Sequence, residues 1–195
     1  MTFPEFSFRL PRWVDERLGG PAQAYLTLEE RMELVIALAR ENIARQTGGP
    51  FGAAVFDMQR HTLIAPGVNL VVPANSSILH AEIVAMILAQ QVLRHFDLSA
   101  EDLPDCELVT STEPCAMCLG AVGWSGVKRL VCGARDEDAR KIGFDEGAKP
   151  LHWPAELARR GIEVIRDVCR GEAVSVLRAY VESGGEVYNP RRASS

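Results

Sequence analysis

Four side chains in two short stretches give this chain its most distinctive chemistry. His80-Ala81-Glu82 supplies an imidazole and, two residues on, a carboxylate. Pro114-Cys115-Ala116-Met117-Cys118 supplies two thiols three residues apart. One imidazole and two thiolates are three of the four ligands of a tetrahedral zinc ion (Zn2+), which leaves a position for water, as in catalytic sites. A carboxylate beside that position can move protons to and from the water. A C-x-x-C alone also serves as a redox pair or as half of a structural zinc site. Structural zinc wants four protein ligands, and no second C-x-x-C or H-x-x-H pair is present to complete the set.

The spacing asks for helices. On a helix, Cys115 and Cys118 lie one above the other on the same face. Pro114 suits a first helical position, where its missing amide is no loss. Thiols at a helix N-terminus feel the positive end of the dipole, which lowers their pKa. After His80, residues 81–93 are apolar at helical intervals (Ile83, Ile87, Leu88). His80 and Glu82 are therefore expected to open a second buried helix, so that two helix N-termini face one metal.

The remaining elements frame that site. Thr27-Leu28-Glu29-Glu30 is a capping box that launches a helix through Met32, Val35, Ile36 and Ala39. Residues 51–56 read as a buried strand, and a turn at 57–61 leads to a second strand at 62–72, a hairpin. Further strands are expected at 106–110, 127–133 and 162–167. Helices are expected after Cys115, at 136–141, near 154–160 and at 172–183, with a loop around Gly143 and Gly147. A hairpin followed by alternating helices and strands implies an α/β domain with a mixed sheet and helices on both faces. Residues 1–25, rich in Pro and Gly, read as an N-terminal extension lying over the domain or a partner subunit. Residues 26–183 form the domain, and 184–195 a Gly-rich tail.

Composition narrows the setting. At 195 residues the chain suffices for one domain with a full core. Its net charge of -5 argues against a nucleic-acid partner, which usually meets a basic stripe. The local basic pairs, Arg159-Arg160 and Arg191-Arg192, read as solvated ends, so a small neutral substrate fits better. No apolar run reaches membrane-span length, and the acidic, Pro-bearing N-terminus is unlike a signal peptide. Five cysteines, an odd number with two committed to metal, argue against a disulfide framework and for a reducing, cytoplasmic setting. Cys106 and Cys132 fit strand cores, and Cys169 stands alone.

The order H-x-E and then P-C-x-x-C is the signature of zinc deaminases. From about Gly48 onward the chain resembles the cytidine-deaminase-like superfamily, and within it the bacterial guanine deaminases. The resemblance is carried by Gly49-Pro50-Phe51-Gly52-Ala53, Val68-Asn69, Glu113-Pro114-Cys115, Gly120-Ala121 with Trp124, Gly143-Phe144-Asp145-Glu146 and the Tyr188-Asn189 tail. It implies a three-layer α/β/α fold, usually a homodimer, sometimes with the tail exchanged between subunits to close the partner's pocket. It also implies hydrolytic deamination of guanine to xanthine and ammonia, a step of purine catabolism. His80, Cys115 and Cys118 are then the zinc ligands, and Glu82 the general acid/base. Asn69 reads the base, Ala81 offers its backbone amide to a ring acceptor, and Trp124 packs on the base. Phe51 and Phe144 line the substrate, and Glu146 is the second carboxylate, facing the amino group. Plainer readings stand beside these: Asn69 as a turn cap, Trp124, Phe51 and Phe144 as core, Glu146 as a solvated loop acid. Deaminases of cytosine or of adenosine in tRNA are the nearest alternatives, and a non-catalytic zinc module is the distant one. Two features depart from the family: Asn75-Ser76-Ser77-Ile78-Leu79 before the histidine, and the long N-terminal extension.

Overall fold

The structure, a computed structural model, describes residues 2–19 and 23–189. A five-stranded sheet of order β2-β1-β3-β4-β5 organises them. β1 (Gly52–Asp57) pairs antiparallel with β2 (Leu63–Val68) and with β3 (Cys106–Thr112). β4 (Arg129–Ala134) and β5 (Glu163–Ile165) then add in parallel. A tight hairpin suffices for the first pair, whereas parallel neighbours need helical crossovers. Those crossovers are α4 (Ala116–Ser125) between β3 and β4, and α5 (Asp136–Lys141) with α6 (Trp153–Arg159) between β4 and β5. The other helices are α1 (Arg12–Leu18), α2 (Leu28–Ala44), α3 (Ala81–Leu93) and α7 (Arg170–Glu182).

Alternation along the strands splits the core into two layers. Ala54 and Phe56 of β1, Val109 of β3 and Val131 of β4 join Trp13, Val35 and Leu177 from α1, α2 and α7. Ala53, Val55, Leu108, Leu130 and Cys132 join Ala85, Val122 and Leu157 from α3, α4 and α6 on the opposite face. The mixed sheet between two helical layers is the expected three-layer architecture. The Thr27 capping box is formed, with Glu30 N–H donating to the Thr27 hydroxyl at 3.1 Å and Thr27 N–H to the Glu30 carboxylate at 3.0 Å.

Several boundaries differ from the sequence expectation. β2 stops at Val68 rather than running to residue 72, because the chain turns where Leu70 N–H reaches Leu79 O and Asn75 takes a left-handed φ of 49°. β4 starts two residues later than expected, at Arg129, in register with Glu107. β5 is reduced to three residues by its short pairing with β4. Within the N-terminal extension, α1 is an additional helix that buries Trp13 and Val14, too short to leave a periodic signal. Pro114 is not the first helical residue: Cys115 is the N-cap of α4, with an extended backbone (φ -64°, ψ 172°), and Pro114 precedes it. The Arg191-Arg192 pair and the end of the tail lie outside the described residues. Among the described residues, no helix is long and apolar enough to cross a membrane.

Candidate active site

His80 is the N-cap of α3 and Cys115 the N-cap of α4, so two helix starts converge on one corner. β2 fixes where α3 begins. Gly67 lies so close to the helix that a Cβ there would stand 2.2 Å from the Ala81 carbonyl and 2.6 Å from the Ala85 amide. Only glycine permits that approach, and the approach sets the position of His80 and Glu82. At the corner, His80 Nδ1 lies 3.5 Å from Cys115 Sγ, and the ligand atoms of His80, Cys115 and Cys118 all lie within 4.8 Å of one another.

This donor set suits zinc. Usual Zn–S and Zn–N bond lengths in tetrahedral geometry separate an imidazole nitrogen from a thiolate by about 3.6 Å, close to the observed spacing. The two thiols sit close enough to share one proton. A hydrogen bond from Cys118, opposed by burial, brings Cys115 down to about 4, and the same bond together with burial pushes Cys118 up. Burial pulls the His80 pKa down, but Cys115, Glu82 and Glu146 around it outweigh burial and raise it. The corner thus collects negative charge that a dication would neutralise.

A cavity of about 1120 Å³ opens from this corner, with His80, Glu82, Cys115, Glu146, Asn69, Phe51 and Phe144 in its wall. Glu82 is only 6% exposed, and burial, then the Cys115 thiolate, raise its pKa to about 7. Glu146 is equally buried. It is raised to about 8 by burial and by Cys115, with Lys149 acting in the opposite sense. The loop carrying Glu146 is tied to the metal corner by backbone: Ala116 N–H donates to Glu146 O at 2.9 Å. Lys149 Nζ donates to the Pro114 carbonyl at 2.8 Å and pairs with Asp136 at 2.6 Å. The solvated-acid reading of Glu146 does not hold.

Asn69 is 7% exposed, directly after β2. Its Oδ1 accepts from Gly49 N–H at 3.4 Å and from Val71 N–H at 3.3 Å. The amide NH2 is therefore the polar group of Asn69 with no hydrogen-bond partner among the described residues. Phe51 and Phe144 meet edge to face, ring centroids 5.0 Å apart at 73°, and Tyr180 stacks behind Phe144 at 6.2 Å. Both phenylalanines also touch the core, so wall and core are one surface here. Ala81 is fully buried as the first residue of α3, where its N–H has no partner within the helix. The tail reaches the site within the same chain. Asn189 accepts from Asp145 N–H at 2.8 Å and donates to Gly143 O at 2.7 Å, and Tyr188 joins the cavity wall.

Trp124 is placed elsewhere. It is 85% exposed at the far end of α4, neither core nor wall of this cavity. The reason is geometric: nine residues of helix carry it about 13 Å along the axis from the Cys115 corner. The motifs also left Glu113, Lys149 and Tyr180 unmentioned as site residues. Glu113 lines the cavity, accepts from Arg166 Nε at 2.5 Å and from Asp136 N–H at 3.1 Å, and so braces the strand leading into Cys115. Its place directly before Pro114-Cys115 was the available signal.

Comparison with known proteins agrees with this geometry. Residues 26–134 match the profile of the cytidine and deoxycytidylate deaminase zinc-binding region. A guanine deaminase of Bacillus subtilis is 38% identical over 130 residues, 66% of this chain and 79% of that protein. A probable cytosine deaminase of Schizosaccharomyces pombe is 32% identical over 166 residues, 80% of this chain and 97% of that protein. The solved guanine deaminase of Nitrosomonas europaea superposes with a TM-score of 0.86 at 47% identity, covering 92% of this chain and 98% of that one. A structure of NE0047 with 2,6-diaminopurine gives a TM-score of 0.88 at 48% identity, covering 94% and 96%. With the matched segment spanning the histidine, both cysteines and Glu82, the chain belongs to the cytidine and deoxycytidylate deaminase zinc-binding family.

Proposed function

We infer that this protein is a zinc-dependent guanine deaminase that converts guanine and water to xanthine and ammonia. The observation that carries the reading is the second buried carboxyl: Glu146 shares the cavity with Glu82 and is pinned by its own carbonyl to the amide beside Cys115. Similarity to guanine deaminases over most of the chain supports the same conclusion.

His80, Cys115 and Cys118 would hold zinc, which when bound supplies a Lewis acid and a water of lowered pKa. The reaction forms a C2–O bond and breaks the bond from C2 to the exocyclic nitrogen. Protons are needed at two places, the ring nitrogen next to C2 and the departing amine. Glu82, raised to about 7, takes the proton of water and delivers it to the ring. Glu146 holds the exocyclic amino group and assists its protonation as ammonia leaves. Asn69 donates its amide N–H to a purine acceptor, and the Ala81 N–H meets another. Phe51 and Phe144 give the base an apolar wall, and the tail that begins at residue 184 closes the cavity as a lid.

A second copy of the chain completes the assembly in this reading. Trp124 and Phe96 are both strongly exposed and sit on segments joined by the Leu98 N–H to Ser125 O bond at 2.9 Å. Such an apolar surface suits a homodimer contact. The setting is purine breakdown in the cytoplasm, with no nucleic acid or membrane partner.

The test is ammonia release by zinc-loaded protein from guanine, adenine, cytosine and their nucleosides. Guanine should dominate. Preference for cytosine would assign the other branch of the family, and no release from any of them would leave a non-catalytic zinc module.

A further inference from the structure

Asn69 leaves β2 with almost every polar atom already engaged. Its N–H donates to Phe51 O at 3.1 Å, and its Oδ1 takes the Gly49 and Val71 amides. Its carbonyl accepts from Asn42 Nδ2 at 3.0 Å, and the same nitrogen donates to Gly49 O at 2.9 Å. Asn42 is fully buried on the last turns of α2, so one side chain pins both the asparagine and the loop that faces it. Gly48 lies between them. A Cβ there would stand 1.9 Å from Asn69 O and 2.7 Å from Asn42 Nδ2.

Asn42 is kept facing that way by Thr47, which is itself held by a residue outside the matched family segment, Trp13. The Trp13 indole N–H, on α1, donates to Thr47 Oγ1 at 3.0 Å, and Thr47 Oγ1 donates to Asn42 Oδ1 at 2.8 Å. An indole can only donate. It therefore takes a lone pair of the Thr47 hydroxyl, whose one proton goes to the nearer of two acceptors: Asn42 Oδ1 at 2.8 Å rather than Asn42 O at 3.3 Å, which already accepts from Thr47 N–H at 2.9 Å. That bond commits Oδ1 to Thr47 and turns the NH2 toward the two carbonyls. The flipped amide would set an oxygen against Asn69 O and Gly49 O, a buried unpaired contact.

We propose that Asn42 is a positioning residue for Asn69, and that the N-terminal helix α1 sets Asn42 through the Trp13–Thr47 relay. The extension would thus tune substrate binding without touching substrate. The proposal rests on the reading of Asn69 as a base-contacting residue.

Full-length, zinc-loaded Thr47→Val, which keeps the side chain's shape, and Trp13→Phe, which keeps an aromatic ring in the core, both remove the relay. Each should raise KM for guanine by about three- to ten-fold, the worth of one hydrogen bond, with kcat and zinc content unchanged. The double variant should do no more than the stronger single one, and Thr47→Ser, which keeps the hydroxyl, should restore KM. Amide hydrogen exchange at Gly49 and Val71 should quicken in Thr47→Val but not in Thr47→Ser. An unchanged KM and exchange rate in Thr47→Val would overturn the proposal, as would equal effects from Val and Ser. If the parent protein does not turn over guanine, the functional reading fails by itself, and the exchange rates still decide the relay.

Discussion

The Cys115 thiolate raises the pKa of both Glu82 and Glu146, and their roles separate by what each variant keeps. Glu82→Gln preserves shape and zinc ligands but cannot pass a proton. Its kcat on guanine should fall by about two to four orders of magnitude at unchanged zinc content, checked by metal analysis beside steady-state kinetics. Glu146 also leaves a signature in stability. Burial, then the Cys115 thiolate, push its carboxyl from 4.5 up to about 8 in the folded protein. The folded state therefore holds a proton that the unfolded chain releases. The associated stability is present below about 4.5 and is lost as pH rises through about 8. In metal-free protein, Glu146→Gln should melt like the parent below about 4.5, become progressively the more stable of the two as pH rises from there, and show the full difference above about 8. Zinc should abolish the difference, because a dication inverts the local preference for the neutral acid. Parallel melting curves at all pH values would mean that Glu146 is solvated.

Helix starts do most of the positioning, and the closeness of β2 to α3 is their weakest tolerance. Gly67→Ala forces a Cβ against the Ala81 carbonyl. It should lower stability by about 1–3 kcal/mol and reduce zinc occupancy together, read by urea melts and metal analysis. Retained zinc at full stability would show that α3 is placed by other contacts. This is also where sequence reading was strong and where it stopped. His80, Glu82, Cys115 and Cys118 were legible because metal chemistry restricts both residue type and spacing. The capping box at Thr27 and the buried strand at β1 were legible because they are local. The early end of β2 was not, since the turn after it depends on a bond from Leu70 to Leu79 made only in the folded chain. Helix α1 was hidden for a related reason: its seven residues owe their order to burying Trp13 and Val14 against α2. The one-sided hydrogen bonding of Asn69 was equally out of reach, because Gly49 lies twenty residues away in sequence.

The whole chain joins a well-enclosed chemical corner to an open apolar end. Trp124, legible as a family residue, is placed by α4 on the exterior, where the described residues leave it 85% exposed. In the proposed homodimer this face is the contact, so Trp124→Asp should lower the sedimentation coefficient to that of a monomer, and an unaltered coefficient would remove this face from the assembly. The proposed activity depends on one requirement, a metal held by His80, Cys115 and Cys118 with its remaining position turned toward Glu82. X-ray absorption at the zinc edge of purified protein measures that directly. Two sulfur ligands, one imidazole and one light atom exchangeable with solvent are the predicted first shell. Absence of a bound metal, or four ligands all supplied by side chains, would contradict the account.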